Sequence, residues 1–264
     1  MLISSLGYQS AYQMLAAIAW VLSGPIAFAI VRSKPEDVGL KAYGQEEYDK
    51  LVELGQAAKN AGYTLKQVAK MPIFYILMVI IIFLTMGISF QMQLTTFIMS
   101  QGFSIVVASS VSGISISVGG VLGNLIAGGL NDRYGVRVGI IVSILIGCIG
   151  LLLCLSGFGG VAGLFIGVGL FGFIQTMIDM AGSLLTRGLF GTRDFDRIYA
   201  FICWWIPFTT AISAYVYSFM YTSTGTYNSA VWLALGCSLA AAILIYFVGR
   251  HAKKHLFPGA NVKI

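Results

Sequence analysis

Charge is what this sequence has least of. Of its 264 residues, 16 are Lys or Arg and 10 are Asp or Glu, a charged fraction of 10%. A soluble domain carries roughly 25%. So few charges cannot cover a water-facing surface, and the mean hydropathy of +0.86 agrees. Lipid is therefore the solvent of most of the chain, and the net charge of +6 reads as membrane topology rather than nucleic-acid binding. Cysteine is scarce too. Cys148, Cys154, Cys203 and Cys237 all fall inside apolar runs, where they are small core residues and not a disulfide framework or a metal cluster. His251 and His255 stand one turn apart on the tail without further ligands, so no metal or cofactor is expected. No nucleophile–base pair is visible, which argues against an enzyme. No base precedes the first apolar run, and Arg32 follows it; a cleavable leader carries its bases first.

What is present is a series of long apolar segments, approximately 8–31, 73–100, 104–130, 138–156, 161–186, 198–221 and 228–249. Each is near or above the roughly 20 residues of a spanning helix. They lack the period-two alternation of a barrel, so the sequence predicts an all-α integral membrane fold with seven transmembrane helices. Every base lies in alternate connections: Arg32 to Lys70 between segments one and two, Arg133 and Arg137 between three and four, Arg187 to Arg197 between five and six, and Arg250 to Lys263 after the last. The other connections, near Ser100–Ser104, Ser156–Gly160 and Thr222–Asn228, have none. The positive-inside rule then places the N-terminus outside and the C-terminus in the cytoplasm.

Between segments one and two, Arg32–Gly44 reads as a Pro/Gly-punctuated helix exit and Gln45–Asn60 as a short amphipathic helix. Thr64–Lys70 reads as an interfacial turn of helix, with Leu65 and Val68 toward lipid and Lys66 and Lys70 toward water. The glycine run Gly157–Gly163 imitates a phosphate loop but follows no strand, which makes it a chance match.

The turn between segments three and four reads G-x-x-D-R-x-G-x-R, from Gly129 through Asp132, Arg133 and Gly135 to Arg137. It resembles the cytoplasmic signature of the major facilitator superfamily of secondary transporters, which in that family joins helices two and three and recurs between helices eight and nine. The Arg32–Gly44 exit resembles the start of the family's long central loop, so the turn matches the second copy. The resemblance implies that the chain corresponds to helices six to twelve. Residues 1–31 would be helix six, 32–72 the central cytoplasmic loop, 73–250 the six-helix C-terminal bundle and 251–264 a cytoplasmic tail. The stretches P-E-D-V-G-L (Pro35–Leu40) and G-T-R-D-F-D-R-I-Y (Gly191–Tyr199) are similar to the oxalate/formate antiporter-like branch. That branch implies alternating-access transport of a small solute, a small monocarboxylate, across the inner membrane. It also implies a polypeptide that supplies the missing N-terminal helices, with the bilayer as the other partner. The turn itself would latch neighbouring helices; as a plain topology anchor it needs no such role.

Asp179 is the one ionisable residue well inside an apolar segment, roughly 12 Å of helix rise from Arg187. An intramembrane carboxylate is costly, and Gln175 stands one turn earlier on the same face. Together they form a candidate stripe for substrate or proton; the alternatives are a helix–helix hydrogen bond or a carboxylate wetted from the cytoplasm. Gln91 and Thr95 share a face of the second segment, with Gln93 elsewhere. In the sixth, Trp205 and Thr209 flank Pro207 and are candidates to line a cavity. For each of these, ordinary packing is the competing reading. No base lies inside any segment, which disfavours a dianion. A non-transporting membrane subunit, a truncated remnant and a seven-helix receptor-like protein are the competing functions; no lysine lies within a segment to carry a retinal Schiff base.

Overall fold

The computed structural model describes residues 2–29 and 62–255, with the side chains of 2–8, 11, 15, 26–29, 176–179 and 250–255 outside that description. The expected exit over Arg32–Gly44 and the helix over Gln45–Asn60 fall outside it. The chain divides into two compact units, Met1–Lys59 and Asn60–Ile264. In the first, α1 runs from Leu2 to Ala29, with Pro25 inside it and the Ser23 hydroxyl donating to Ala19 O at 2.6 Å.

The second unit holds six helical stretches long and apolar enough to cross a membrane. A short helix, α2 (Leu65–Val68), precedes them. Span one is α3 (Pro72–Ser89), a 3-10 turn at Phe90–Gln93, and α4 (Leu94–Ser100). Span two is α5 (Ile105–Ser110), a π turn at Val111–Ser115, and α6 (Ile116–Tyr134). Spans three and four are α7 (Val136–Ser156) and α8 (Gly160–Phe190). Span five is α9 (Phe195–Cys203) and α10 (Trp205–Thr224), and span six lies in α11 (Asn228–His255). Among the described residues of this unit, the bases sit at one end of the bundle. The turns at the other end are uncharged, and Gly102, Gly157 and Gly225 reverse the chain there with positive φ.

Lipid gives helices no hydrophobic reason to associate, so close packing of small residues must do it. At the α6–α8 contact, a Cβ on Gly119 would overlap the carbonyl of Gly169, and one on Gly172 would lie 2.9 Å from Ile116 O and 3.0 Å from Gly120 N. At the α7–α8 contact, Gly150 meets the Gly167 carbonyl and Gly147 leaves room for Ile174. Several buried hydroxyls are answered inside their own helices: Ser143 donates to Gly139 O at 2.9 Å, Thr186 to Gly182 O at 2.6 Å and Ser238 to Ala234 O at 2.8 Å, whereas Thr85 Oγ1 and Ser115 Oγ are buried without a partner. This back-bonding lets a polar group sit in the apolar core without an orphan donor.

Burial is uneven. Spans one, three, four and six are 47–56% buried in their most apolar windows, but span two is 28% and span five 22%. The outer face of span two also carries Asn124, an exposed amide well inside the apolar stretch. The expected lipid-facing turn at Thr64–Lys70 is packed differently. Leu65 and Val68 do not face lipid. Val68 is fully buried in the core and Leu65 packs against it, because α2 is drawn onto the turn at Gly191–Asp194.

Candidate functional site

Two places concentrate polar side chains, and the sequence pointed to both. The first is the charged elbow. Helix α6 ends at Tyr134, and Gly135 turns the chain with φ 92° while its N–H caps Asn131 O at 3.0 Å. That φ lies in the region open to glycine, which is why the motif needs one there. Gly129, Asp132 and Arg133 are exposed, and a Cβ on Gly129 would meet nothing. Arg137 is different. Its guanidinium lies 4.4 Å from the ring centroid of Tyr246 on α11, and a Cβ on Gly249 would overlap its Cδ and lie 2.9 Å from its Nε. The arginine is laid along the glycine and capped by the tyrosine, within the roughly 6 Å of a cation–π contact.

Sequence reasoning found Arg137 but not its seat. The available signal was a Tyr and a Gly three apart at the end of the last apolar run. Nor did it find Asn131, whose amide occupies the space where Gly139 has no side chain and whose Nδ2 and Oδ1 are buried without a partner.

The second place is the pair of helix interruptions. Just past the 3-10 turn of span one, Thr95 Oγ1 in the first turn of α4 donates to Ser112 Oγ in the π turn of span two at 3.1 Å. Gln93 reaches the other way, its Nε2 donating to Ser218 Oγ of span five at 3.1 Å. Gln93 was set aside in the sequence reading, yet it ties spans one and five together. Gln91, between them, is half-buried and makes no hydrogen bond among the described residues. Phe90 anchors the interruption. It is fully buried, with its ring 5.6 Å from Tyr217 of span five, 5.7 Å from Phe97 and 6.5 Å from Phe171 of span four. The Tyr217 hydroxyl donates to Met86 O at 2.6 Å, one turn before the break.

Gln175 follows Phe171 by one turn of α8, which sets it about one turn from the height of the Phe90 break, toward the basic end. It is half-buried, and its Oε1 has no partner. The backbone of Asp179 continues α8 one turn further; its side chain lies outside the described residues. Trp205 and Thr209 stand apart. They precede Tyr217 by three and two turns, about 18 and 12 Å along the axis. Pro207, which lacks an N–H, follows the break between α9 and α10. Thr209 is buried and its hydroxyl donates to Trp205 O at 3.0 Å, while Trp205 Nε1 is buried without a partner. The geometry thus sets Gln91 and Thr95 at the interruptions, Gln175 about one turn from them toward the basic end, and Trp205 and Thr209 as a separate pair nearer that end still.

No curated protein gives a significant match to the chain. The model of the family described as Major Facilitator Superfamily matches residues 113–262, more than half of the sequence, from the π turn of span two through the charged elbow to the tail. The chain is a multi-pass membrane protein that belongs to the Major Facilitator Superfamily, a family of transporters rather than enzymes.

Proposed function

We propose that the chain is the C-terminal portion, helices six to twelve, of a secondary carrier that moves a small monocarboxylate across the inner membrane by alternating access. In this reading α1 is helix six, and the opposite wall of the pathway comes from N-terminal helices on another stretch of polypeptide. The basic end faces the cytoplasm. The observation that carries the proposal is the paired interruption at Phe90–Gln93 and Val111–Ser115, held together by Thr95 and Ser112. Broken helices are where secondary transporters expose polar groups to cargo. Gln91 stands at the break, and Gln175, with its unpartnered Oε1, about one turn toward the basic end, both with hydrogen-bonding capacity to spare. The sparse burial of spans two and five and the exposed amide of Asn124 favour a protein or aqueous neighbour on that side, since an amide facing hydrocarbon is costly.

With the bases of the described spans confined to their basic ends, a carboxylate deeper in the bundle would be held by amide, hydroxyl and indole donors. That weaker field suits one negative charge better than two. The test is uptake of radiolabelled formate, lactate and pyruvate by cells producing the chain together with the N-terminal helices. Gln91→Leu and Asp179→Asn are each expected to lower uptake at equal expression. Undiminished uptake by both variants would remove the interruptions and the intramembrane carboxylate from the pathway.

A further inference from the structure

Four bases are assembled at the basic end by contacts distant in sequence. Lys66 and Lys70 lie on and just after α2; Arg193 and Arg197 lie in the turn before α9 and in its first turn. The two strands of chain are pinned together. Gly62 pairs with Gly191, Tyr63 N–H donates to Phe190 O at 2.9 Å, and Leu65 N–H donates to Asp194 Oδ2 at 3.1 Å. With Val68 locked into the core, Lys66 and Lys70 can only face outward. All four bases are exposed, and none has an ion-pair partner among the described residues. Two acids lie among them. Asp194 is engaged by the Leu65 N–H, and Asp196 is exposed.

Beneath these bases, toward the apolar part of the bundle, lies a patch of exposed aromatic rings. Tyr75 is 55% and Phe201 42% exposed. Both flank the buried Phe74, at ring separations of 5.6 and 5.8 Å. Tyr75 donates its hydroxyl to Ala69 O at 3.0 Å, with its polar tip toward α2 and its ring along span one. An aromatic ring with a polar tip marks the depth of the headgroups.

We propose that this platform is a binding site for one anionic phospholipid. Lys66, Lys70, Arg193 and Arg197 take the headgroup phosphate, and an acyl chain lies over Tyr75 and Phe201. A cationic surface alone would suit any phosphate. Cations directly above exposed apolar rings suit a molecule with a charged head and a hydrocarbon tail. Clusters of bases at the cytoplasmic face of membrane proteins meet anionic lipid; the proposal rests on the orientation given under the proposed function but not on the cargo.

The experiment is native mass spectrometry of the full chain. It counts bound phosphatidylglycerol against bound phosphatidylcholine, with inorganic phosphate as competitor. The wild type is expected to retain phosphatidylglycerol preferentially. Substitution K66Q/K70Q/R193Q/R197Q should reduce the preference by about ten-fold or more, at about five-fold per base near a charged headgroup. The charge-conserving K66R/K70R/R193K/R197K should keep most of it. Asp194→Ala separates a built site from general attraction. It makes the surface more positive yet releases the N-terminus of α2, so retention should fall. Unchanged preference in the glutamine variant, displacement of lipid by inorganic phosphate, or tighter retention in Asp194→Ala would each overturn the proposal.

Discussion

Replacing Tyr246 with Leu should loosen the charged elbow from the last helix, and the size of the effect follows from the contact. The Arg137 guanidinium sits 4.4 Å from the Tyr246 ring centroid. Such pairs are worth about 0.5–1 kcal/mol when exposed and about 2 kcal/mol when desolvated. Tyr246 is 48% exposed and Arg137 half-buried, so about 1 kcal/mol is expected. In a unit of this size that lowers the thermal midpoint by about 2–4 °C. Tyr246→Phe keeps the ring face and should change little.

The decisive measurement is a thermal-unfolding cycle in detergent with Arg137→Gln, Tyr246→Leu and the double variant. A coupling energy of about 1 kcal/mol is expected, because the two side chains touch. Gly249→Ala supplies an independent arm. Its Cβ would overlap Arg137 Cδ, so the arginine must leave its seat, and Tyr246→Leu should add almost nothing in that background. Strict additivity in both cycles would refute the reasoning, since the motif arginine would then be an ordinary surface cation.

Two further outcomes follow from the packing and the outer turn. Gly172→Leu drives a side chain onto the backbone at Ile116 O and Gly120 N and should abolish a monodisperse peak in size-exclusion chromatography; Gly128→Leu, where nothing lies within 4 Å, should not. Tyr227, in the turn before α11, has its phenol pushed up by burial, with a hydrogen bond to Thr96 acting the other way and Tyr221 adding to the rise. The fold therefore holds that proton more firmly than the unfolded chain, so stability falls as pH rises above the ordinary phenol range near about 10. Tyr227→Phe should remove that alkaline slope from thermal midpoints, and an unchanged slope would mean that another group titrates there.

Lipid as solvent explains why so much of the architecture was legible. A spanning helix must be long and apolar, and its bases must gather at its ends. Both properties can be read along the chain without knowing which helix touches which. The six spans of the second unit and the elbow at Gly129–Arg137 follow from these alone. Partner choice is another kind of information. Nothing near Arg137 in sequence announces Tyr246, because the seat is made by a glycine on a helix at the far end of the chain.

The placement of Leu65 and Val68 failed for a related reason: an apolar face on a short helix can be covered by lipid or by protein, and composition is the same for both. The cover was decided by the carboxylate of Asp194, which takes the Leu65 N–H. Gln93 shows the remaining limit. Uniform helical spacing sets Gln91 and Thr95 on one face, but a 3-10 turn advances about 120° per residue instead of about 100°. Across Phe90–Gln93 that difference accumulates. It turns Thr95 away from Gln91 and toward span two, while Gln93, which regular spacing already sets on another face, reaches span five. A helix break is thus hard to read along the chain, because the irregularity that interrupts the helix also rotates its polar groups away from the face that regular periodicity assigns.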